Sequence, residues 1–288
     1  MKGIVLSGGS GSRLYPATNV ITKQLLTIYN KPMIYYPMST LMLAGIKDIM
    51  VITRPDQINL YKSLFEDGSH LGINIEYNIQ ESPKGIAECF IIAEEFIGDD
   101  SVCLILGDNI FYGDALPTIL RTSREITENN KSVIFGYHVN DAREYGVIEY
   151  NRNRRVVSIE EKPENPKSNC AAVGLYMYSN DVVKIAKTIS PSSRGELEIT
   201  DVNNVYLKSK KLMLEIFGRG YAWFDAGSHD SLLEASNFIQ TIEKRQGLKI
   251  ACLEEIAYNL GYISKRQLLH LAGNLGKNEY SNYLYGIV

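Results

Sequence analysis

Cysteine, tryptophan and charge of one sign are all scarce in this chain. Its 288 residues hold four cysteines, one tryptophan and a formal net charge of −3. Cys89, Cys103, Cys170 and Cys252 lie far apart and form no CxxC pair, which speaks against zinc or a disulfide framework and fits reduced core thiols. His70, His138, His229 and His270 show no metal-ligand spacing. Near-balanced charge argues against a general nucleic-acid or membrane-surface binder. No apolar run approaches the roughly 18 residues of a membrane helix, and no basic stretch followed by a long apolar run opens the sequence. The expectation is a cytoplasmic protein with neither nucleic acid nor membrane as partner. Repeats, low-complexity tracts and clear linkers are absent as well.

What the chain does have is enough apolar material, 45% of residues, to bury a sizeable core in one or two domains. It opens MKGIVLSGGSGSRLYP, a short apolar strand running into three glycines, then Arg13 and, further on, Lys23. Glycines at such a turn let backbone N–H groups converge on an anion, and the two cations add positive charge nearby. The loop fits neither familiar phosphate pattern: Ser12 and Arg13 follow Gly11 where a Walker loop needs Lys, and Leu14 stands where a dinucleotide fingerprint needs glycine. Read alone, it is equally an ordinary strand-to-helix turn.

The first half alternates strands at 48–53, 73–80 and 101–108 with helical stretches at about 32–44, 56–66 and 85–96. Such alternation implies a parallel sheet covered on both faces, with ligands beyond the carboxyl ends of its strands. The glycine loop, Gln80 and Asp108 all fall at such ends. From about 132 closely spaced strand-like runs (SVIFGYHV, YGVIEY, VVSIEEKP, AAVGLYMYS) suggest an antiparallel or mixed layer. Helices at 180–188 and 196–208, the strand LMLEIFG and a turn-like YAWFDAGSH follow, then helices at 231–246, 253–260 and 264–272 and a polar, tyrosine-containing tail.

The predicted fold is α/β, a Rossmann-like, mostly parallel mixed sheet flanked by helices, with a helical C-terminal appendage. Its expected division is one main domain over 1–240, in halves of about 1–130 and 131–240, and a helical extension over 241–288.

Asp108 after VCLILG and Asp225 after YAWF each read as strand-end carboxylates. Brought together beside a phosphate loop they suit magnesium, which takes one or two carboxylates plus phosphate oxygens; singly, each reads as a turn or capping aspartate. In EEKP, strand alternation puts Glu161 on the face opposite Glu160 and Lys162.

Together GGSGSRLYP, KQLL, LGDNIFYG, EYGVIEY, EEKP, RGELEITD and GRGYAWFDAGSHD closely resemble the glucose-1-phosphate thymidylyltransferases, in their long form, from Met1 to about Tyr285. The resemblance implies that dTTP and glucose 1-phosphate become dTDP-glucose and pyrophosphate with Mg2+. It implies nucleotide contacts from Gly8, Gly11, Ser12, Arg13, Lys23, Gln80, Gly85 and Asp108, and sugar-phosphate contacts from Asn109, Gly146, Glu161, Lys162 and Val173. Asp108 and Asp225 become metal ligands, and with Arg13 and Lys162 the catalytic set. It further implies a homotetramer whose second site, with Tyr112, Gly113, Arg219, Cys252, Glu255 and Ile256, binds the end product dTDP-rhamnose. Departures are Asp114 for the family's histidine and GIAECF for GLAQAF, the latter beside the base pocket. Rival readings are a UTP-using pyrophosphorylase and a catalytically silent regulatory relative; Arg13, Asp108, Lys162 and Asp225 are all present, against the silent reading.

Overall fold

A computed structural model describes residues 1–288. The strands are β1 (Lys2–Ser7), β2 (Thr27–Ile28), β3 (Lys31–Pro32), β4 (Asp48–Thr53), β5 (Asn74–Ile79), β6 (Val102–Leu106), β7 (Asn109–Tyr112), β8 (Ser132–His138), β9 (Gly146–Tyr150), β10 (Val156–Glu161), β11 (Cys170–Tyr178), β12 (Leu212–Phe217) and β13 (Ala222–Asp225). The helices are α1 (Tyr35–Leu43), α2 (Ile58–Phe65), α3 (Glu88–Ile92), α4 (Glu94–Ile97), α5 (Leu116–Glu128), α6 (Val182–Ala186), α7 (Ile199–Lys208), α8 (His229–Gln246), α9 (Leu253–Asn259), α10 (Lys265–Asn274) and α11 (Glu279–Gly286).

Nine strands form one sheet in the order β10-β9-β11-β6-β1-β4-β5, with β8 bonded to β11 and β12. The block β6-β1-β4-β5 is parallel throughout, and β11 runs antiparallel to β6, β8 and β9. Strand direction changes at β11 within one continuous sheet. The inner parallel strands β1, β4 and β6 are buried on both faces, so Ile4, Val5, Ile49, Val51, Leu104 and Ile105 lie in apolar runs rather than alternating ones, whereas β5 at the edge exposes Asn74 and Glu76.

Side chains on the two faces sort into two large clusters. One includes Val5, Val51, Ile105 and Val173; it also takes in Cys252, Leu253, Ala257, Leu268 and Leu284 of the C-terminal helices. The appendage is therefore seated on the sheet's own core. The other lies across the sheet around Phe90, Tyr178 and Tyr206. No helix is long and apolar enough to cross a membrane.

Several elements differ from the sequence reading. The sequence reading assigned no element to α5, although Leu116, Ile119, Leu120 and Ile126 recur there at helical spacing. The stretch 85–96 breaks into α3 and α4, and the tyrosine-containing tail contains α11. YAWFDAGSH holds a true strand, β13, which pairs antiparallel with β7 in a separate ribbon that sets Asp225 opposite Asn109. Helix α8 begins at His229 because Ser228 caps it, its hydroxyl accepting from the Ser231 N–H.

Candidate active site

Three parallel strands deliver the first lobe of a cleft. β1 ends at Ser7, and Gly8 and Gly9 carry the chain across its tip. A Cβ on Gly8 would stand 2.3 Å from Oε1 of Gln80, so only glycine lets the loop pass that side chain. Gly11 is left-handed at φ 65° and opens a short turn, Ser12–Leu14, pinned by buried Leu14 and by Thr18, whose hydroxyl donates to the Gly11 carbonyl at 2.8 Å. Arg13 is left exposed at the rim. Gln80 follows β5, and Asp108 follows β6. Gly8, Lys23, Gln80, Gly85 and Asp108 line one space of about 200 Å³.

The second lobe, about 290 Å³, lies over the antiparallel strands and shares Asp108, Leu106, Ile86 and Glu196 with the first. Arg13, Asn109, Gly146, Glu161, Lys162 and Asp225 line this second lobe. The residues expected on either side of the reaction thus meet at one carboxylate.

That carboxylate is held on both sides. Lys23, buried itself, contacts Oδ2 of Asp108, and Asn109 Nδ2 donates to Oδ1 at 3.0 Å. Burial opposes ionisation of Asp108, but the Lys23 ammonium overrides it and keeps the carboxyl below its ordinary range. Asp225 behaves oppositely. Burial first, and then the negative charge of Asp108, push its carboxyl up to about 6, against the pull of Lys23, Arg13 and Lys162. A Cβ on Gly227 would sit 2.7 Å from Arg13 Nη2 and 3.2 Å from Asp225 Oδ1, which places the guanidinium beside that carboxylate.

Asn109 is 2% exposed, and its amide is largely committed. Its Oδ1 accepts from the Gly174 N–H at 3.0 Å and from the Trp223 indole N–H at 2.7 Å. It therefore ties β11 and the β7–β13 ribbon to Asp108 as well as facing the sugar-phosphate lobe. A side chain on Gly174 would meet that same Oδ1 at 2.7 Å.

Two expectations need correction. Strand alternation put Lys162 on the face opposite Glu161, yet both line the cleft. β10 stops at Glu161 and Lys162 takes φ 42°, which breaks the period of two. Glu160 does face away and pairs with Lys167. Val173 offers no side chain to the cleft: it is 0% exposed in the core, and its neighbours Ala172 and Gly174 are the lining residues.

Sequence reasoning assigned no role to Arg194, Glu196, Glu198, Thr200, Tyr145 or Trp223, all of which line the second lobe. Arg194 Nη2 lies 2.9 Å from both Glu198 carboxylate oxygens and 3.4 Å from Glu161 Oε1, and Thr200 donates to Glu161. The available signal was a run of polar residues, Arg194, Glu196, Glu198 and Thr200, leading into the first turn of α7.

A third cavity, on the opposite side of the β7–β13 ribbon's helical cover, brings together Tyr112, Gly113, Asp114, Glu255 and Ile256. Arg219 is not among its lining residues; it stands exposed on the turn between β12 and β13. Cys252 is buried and also contributes no surface there.

The chain is similar over nearly all its length to curated relatives. It is 54% identical to a glucose-1-phosphate thymidylyltransferase of Neisseria meningitidis over 284 residues, covering 99% of this chain and 98% of the relative. Identity to the enzyme of that name from Mycobacterium tuberculosis is 51%, with the same coverage. Among solved structures, a Bacillus anthracis chain given provisionally the same name superposes with a TM-score of 0.75 at 39% identity, covering 83% of this chain and 94% of that one. A UDP-glucose pyrophosphorylase solved with UDP-glucose shares the fold, with a TM-score of 0.74 at 24% identity and coverage of 84% and 98%. The nucleotidyl transferase model matches residues 2–242, and the chain belongs to the nucleotidyl transferase family.

Proposed function

We propose that this protein transfers the thymidylyl group of dTTP to glucose 1-phosphate, releasing pyrophosphate. The observation that carries the reading is the convergence of two lobes on Asp108, with Asp225 beside it in the second lobe and Arg13, Lys23 and Lys162 around the pair. The reaction joins an oxygen of the sugar phosphate to the α-phosphorus and breaks the bond from that phosphorus to the bridging oxygen of pyrophosphate. The nucleophile is already an anion near neutral pH, so no general base is needed. What remains is repulsion between two anions and their alignment, which positioning and fixed charge relieve. Lys162 draws the sugar phosphate toward the α-phosphorus, and Arg13 stabilises the departing pyrophosphate. Glu161, held by Thr200, accepts from sugar hydroxyls. The Gly8–Ser12 loop and Lys23 take the nucleotide phosphates, and Gln80 with Gly85 takes the base.

Asp108 and Asp225 supply oxygen donors without histidine or cysteine, a set that suits Mg2+. Bound there, the ion would neutralise phosphate charge. Resemblance to the family also supports a cytoplasmic homotetramer feeding deoxysugar and cell-surface polysaccharide synthesis. The Tyr112–Ile256 cavity is the place we assign to feedback by dTDP-rhamnose.

Pyrophosphate release over a matrix of nucleotides and sugar phosphates tests the reading. dTTP with glucose 1-phosphate should give the highest kcat/KM. UTP should be used in part, because a pocket distinguishes one methyl by only about 1–3 kcal/mol. A clear preference for UTP would overturn the thymidylyl assignment.

A further inference from the structure

The anion loop carries one fixing contact that no role assigned above uses. From Ser12 to Ile21 its backbone hydrogen bonds close within the loop: Leu14 N–H donates to the Gly11 carbonyl, Tyr15 N–H to Ser12 and Asn19 N–H to Pro16. Its side-chain bonds do the same, Thr18 donating to Gly11 and Tyr15 to Asn19. The exception spans 214 residues. His229 Nε2 lies 3.3 Å from the Tyr15 carbonyl oxygen, and since that oxygen only accepts, Nε2 is the donor.

His229 stands on fixed ground. It opens α8, whose start is set by the Ser228 cap, and it follows shortly after Asp225 at the end of β13. The same segment meets the loop a second time. A Cβ on Gly227 would stand 2.7 Å from Arg13 Nη2, so the guanidinium rests against bare backbone. Leu14, 1% exposed, anchors the turn Ser12–Leu14 from below. One anchor leaves such a turn free to pivot, and Tyr15, 59% exposed, has little packing to stop it. A second anchor at the Tyr15 carbonyl fixes the direction of the turn, and with it the side on which Arg13 stands.

We propose that His229 is a positioning residue for the leaving group: by donating to the Tyr15 carbonyl it ties the anion loop to the segment that carries Asp225, and so holds Arg13 where pyrophosphate departs. His229 acts only through the loop. The sugar phosphate is met by Lys162 from another element, so the tether bears on the diphosphate anion alone. This inference rests on the proposed function in taking Arg13 as the partner of pyrophosphate.

Hydrogen exchange over peptides covering Gly11–Thr22, combined with the kinetics of pyrophosphorolysis of dTDP-glucose, tests it. His229→Phe keeps an aromatic ring and removes the donor, whereas His229→Gln keeps an N–H at similar reach. Loss of one solvent-exposed hydrogen bond shifts an equilibrium by about two- to tenfold. In His229→Phe the loop amides should therefore exchange faster by about that factor, with β1 and β6 unchanged as the control for folding. KM for pyrophosphate should rise by about two- to tenfold while KM for dTDP-glucose moves little. His229→Gln should stay near wild type in both. Unchanged loop exchange in His229→Phe, faster exchange with an unchanged KM for pyrophosphate, equal damage to both substrates, or a His229→Gln as impaired as His229→Phe would overturn the proposal. The expected exchange pattern in a protein inert toward dTDP-glucose would instead overturn the proposed function and leave the tether standing.

Discussion

The two lobes meet at Asp108 but are built from different materials. The nucleotide lobe presents main chain at Gly8, Gly9 and Gly85, beside the side chains of Lys23, Gln80 and Asp108, and its loops close over the ends of parallel strands. The sugar-phosphate lobe is made of side chains, with Glu161, Lys162, Arg194, Glu198 and Thr200 converging from β10, the turn after it and the approach to α7. The difference suits the ligands. A triphosphate offers many anionic oxygens that backbone N–H groups bind without demanding one geometry, whereas a hexose is distinguished by hydroxyls that need placed partners.

If the carboxylate pair serves both lobes, its loss should damage the reaction most. Asp108→Asn and Asp225→Asn should each lower kcat by about a hundredfold or more, since an amide is a poor ligand for a hard cation. Circular dichroism should show both variants folded. Near-normal turnover at limiting magnesium would remove that residue from the metal site.

Lys162→Ala should separate the lobes. Its KM for glucose 1-phosphate should rise about tenfold or more while KM for dTTP moves little, the pattern of a contact made to one substrate. Equal damage to both would contradict its placement in the second lobe.

The raised Asp225 carboxyl gives a smaller, purely thermodynamic test. Its pKa of about 6 exceeds the ordinary 3.8, so the folded state holds the proton more tightly than the unfolded chain. The stability this adds is complete below pH 4 and is lost as pH rises through 6. With a chelator present, Asp225→Asn should therefore melt above wild type at pH 7, with the gap closing toward pH 4. A gap independent of pH would mean that burial and Asp108 do not govern this carboxyl.

Ser12→Ala should have the least effect, a change in dTTP KM within about threefold, because the loop's anion donors are main-chain N–H groups. A loss as large as that of Lys162→Ala would erase the contrast between the lobes.

The same contrast explains what was legible in the sequence. Gly8, Gly11, Gln80 and Asp108 stood out because each lies at or just beyond the end of a strand, and a parallel sheet collects such ends at one edge. Asp225 was visible as a strand end, but its pairing was not, since β7 lies within LGDNIFYG and carries no turn signal separating it from Asp108. The side-chain lobe was harder to read. Arg194 lies in a turn, Glu198 just before α7 and Thr200 in its first turn, and a charge at such a junction reads as solvated until packing turns it inward. Lys162 was placed on the wrong face because a positive φ is invisible to a period-of-two argument. The reach of His229 to the Tyr15 carbonyl follows only from the fold, which brings the start of α8 beside the anion loop.

The central claim is that two lobes deliver two substrates to one carboxylate pair, so that one attacks the other directly. Exchange of labelled pyrophosphate into dTTP tests it most sharply. The account predicts no exchange with dTTP and metal alone, and rapid exchange once glucose 1-phosphate is added. Exchange at full rate without the sugar phosphate would mean that a group on the protein takes up the nucleotidyl unit first, and would contradict direct transfer across the cleft.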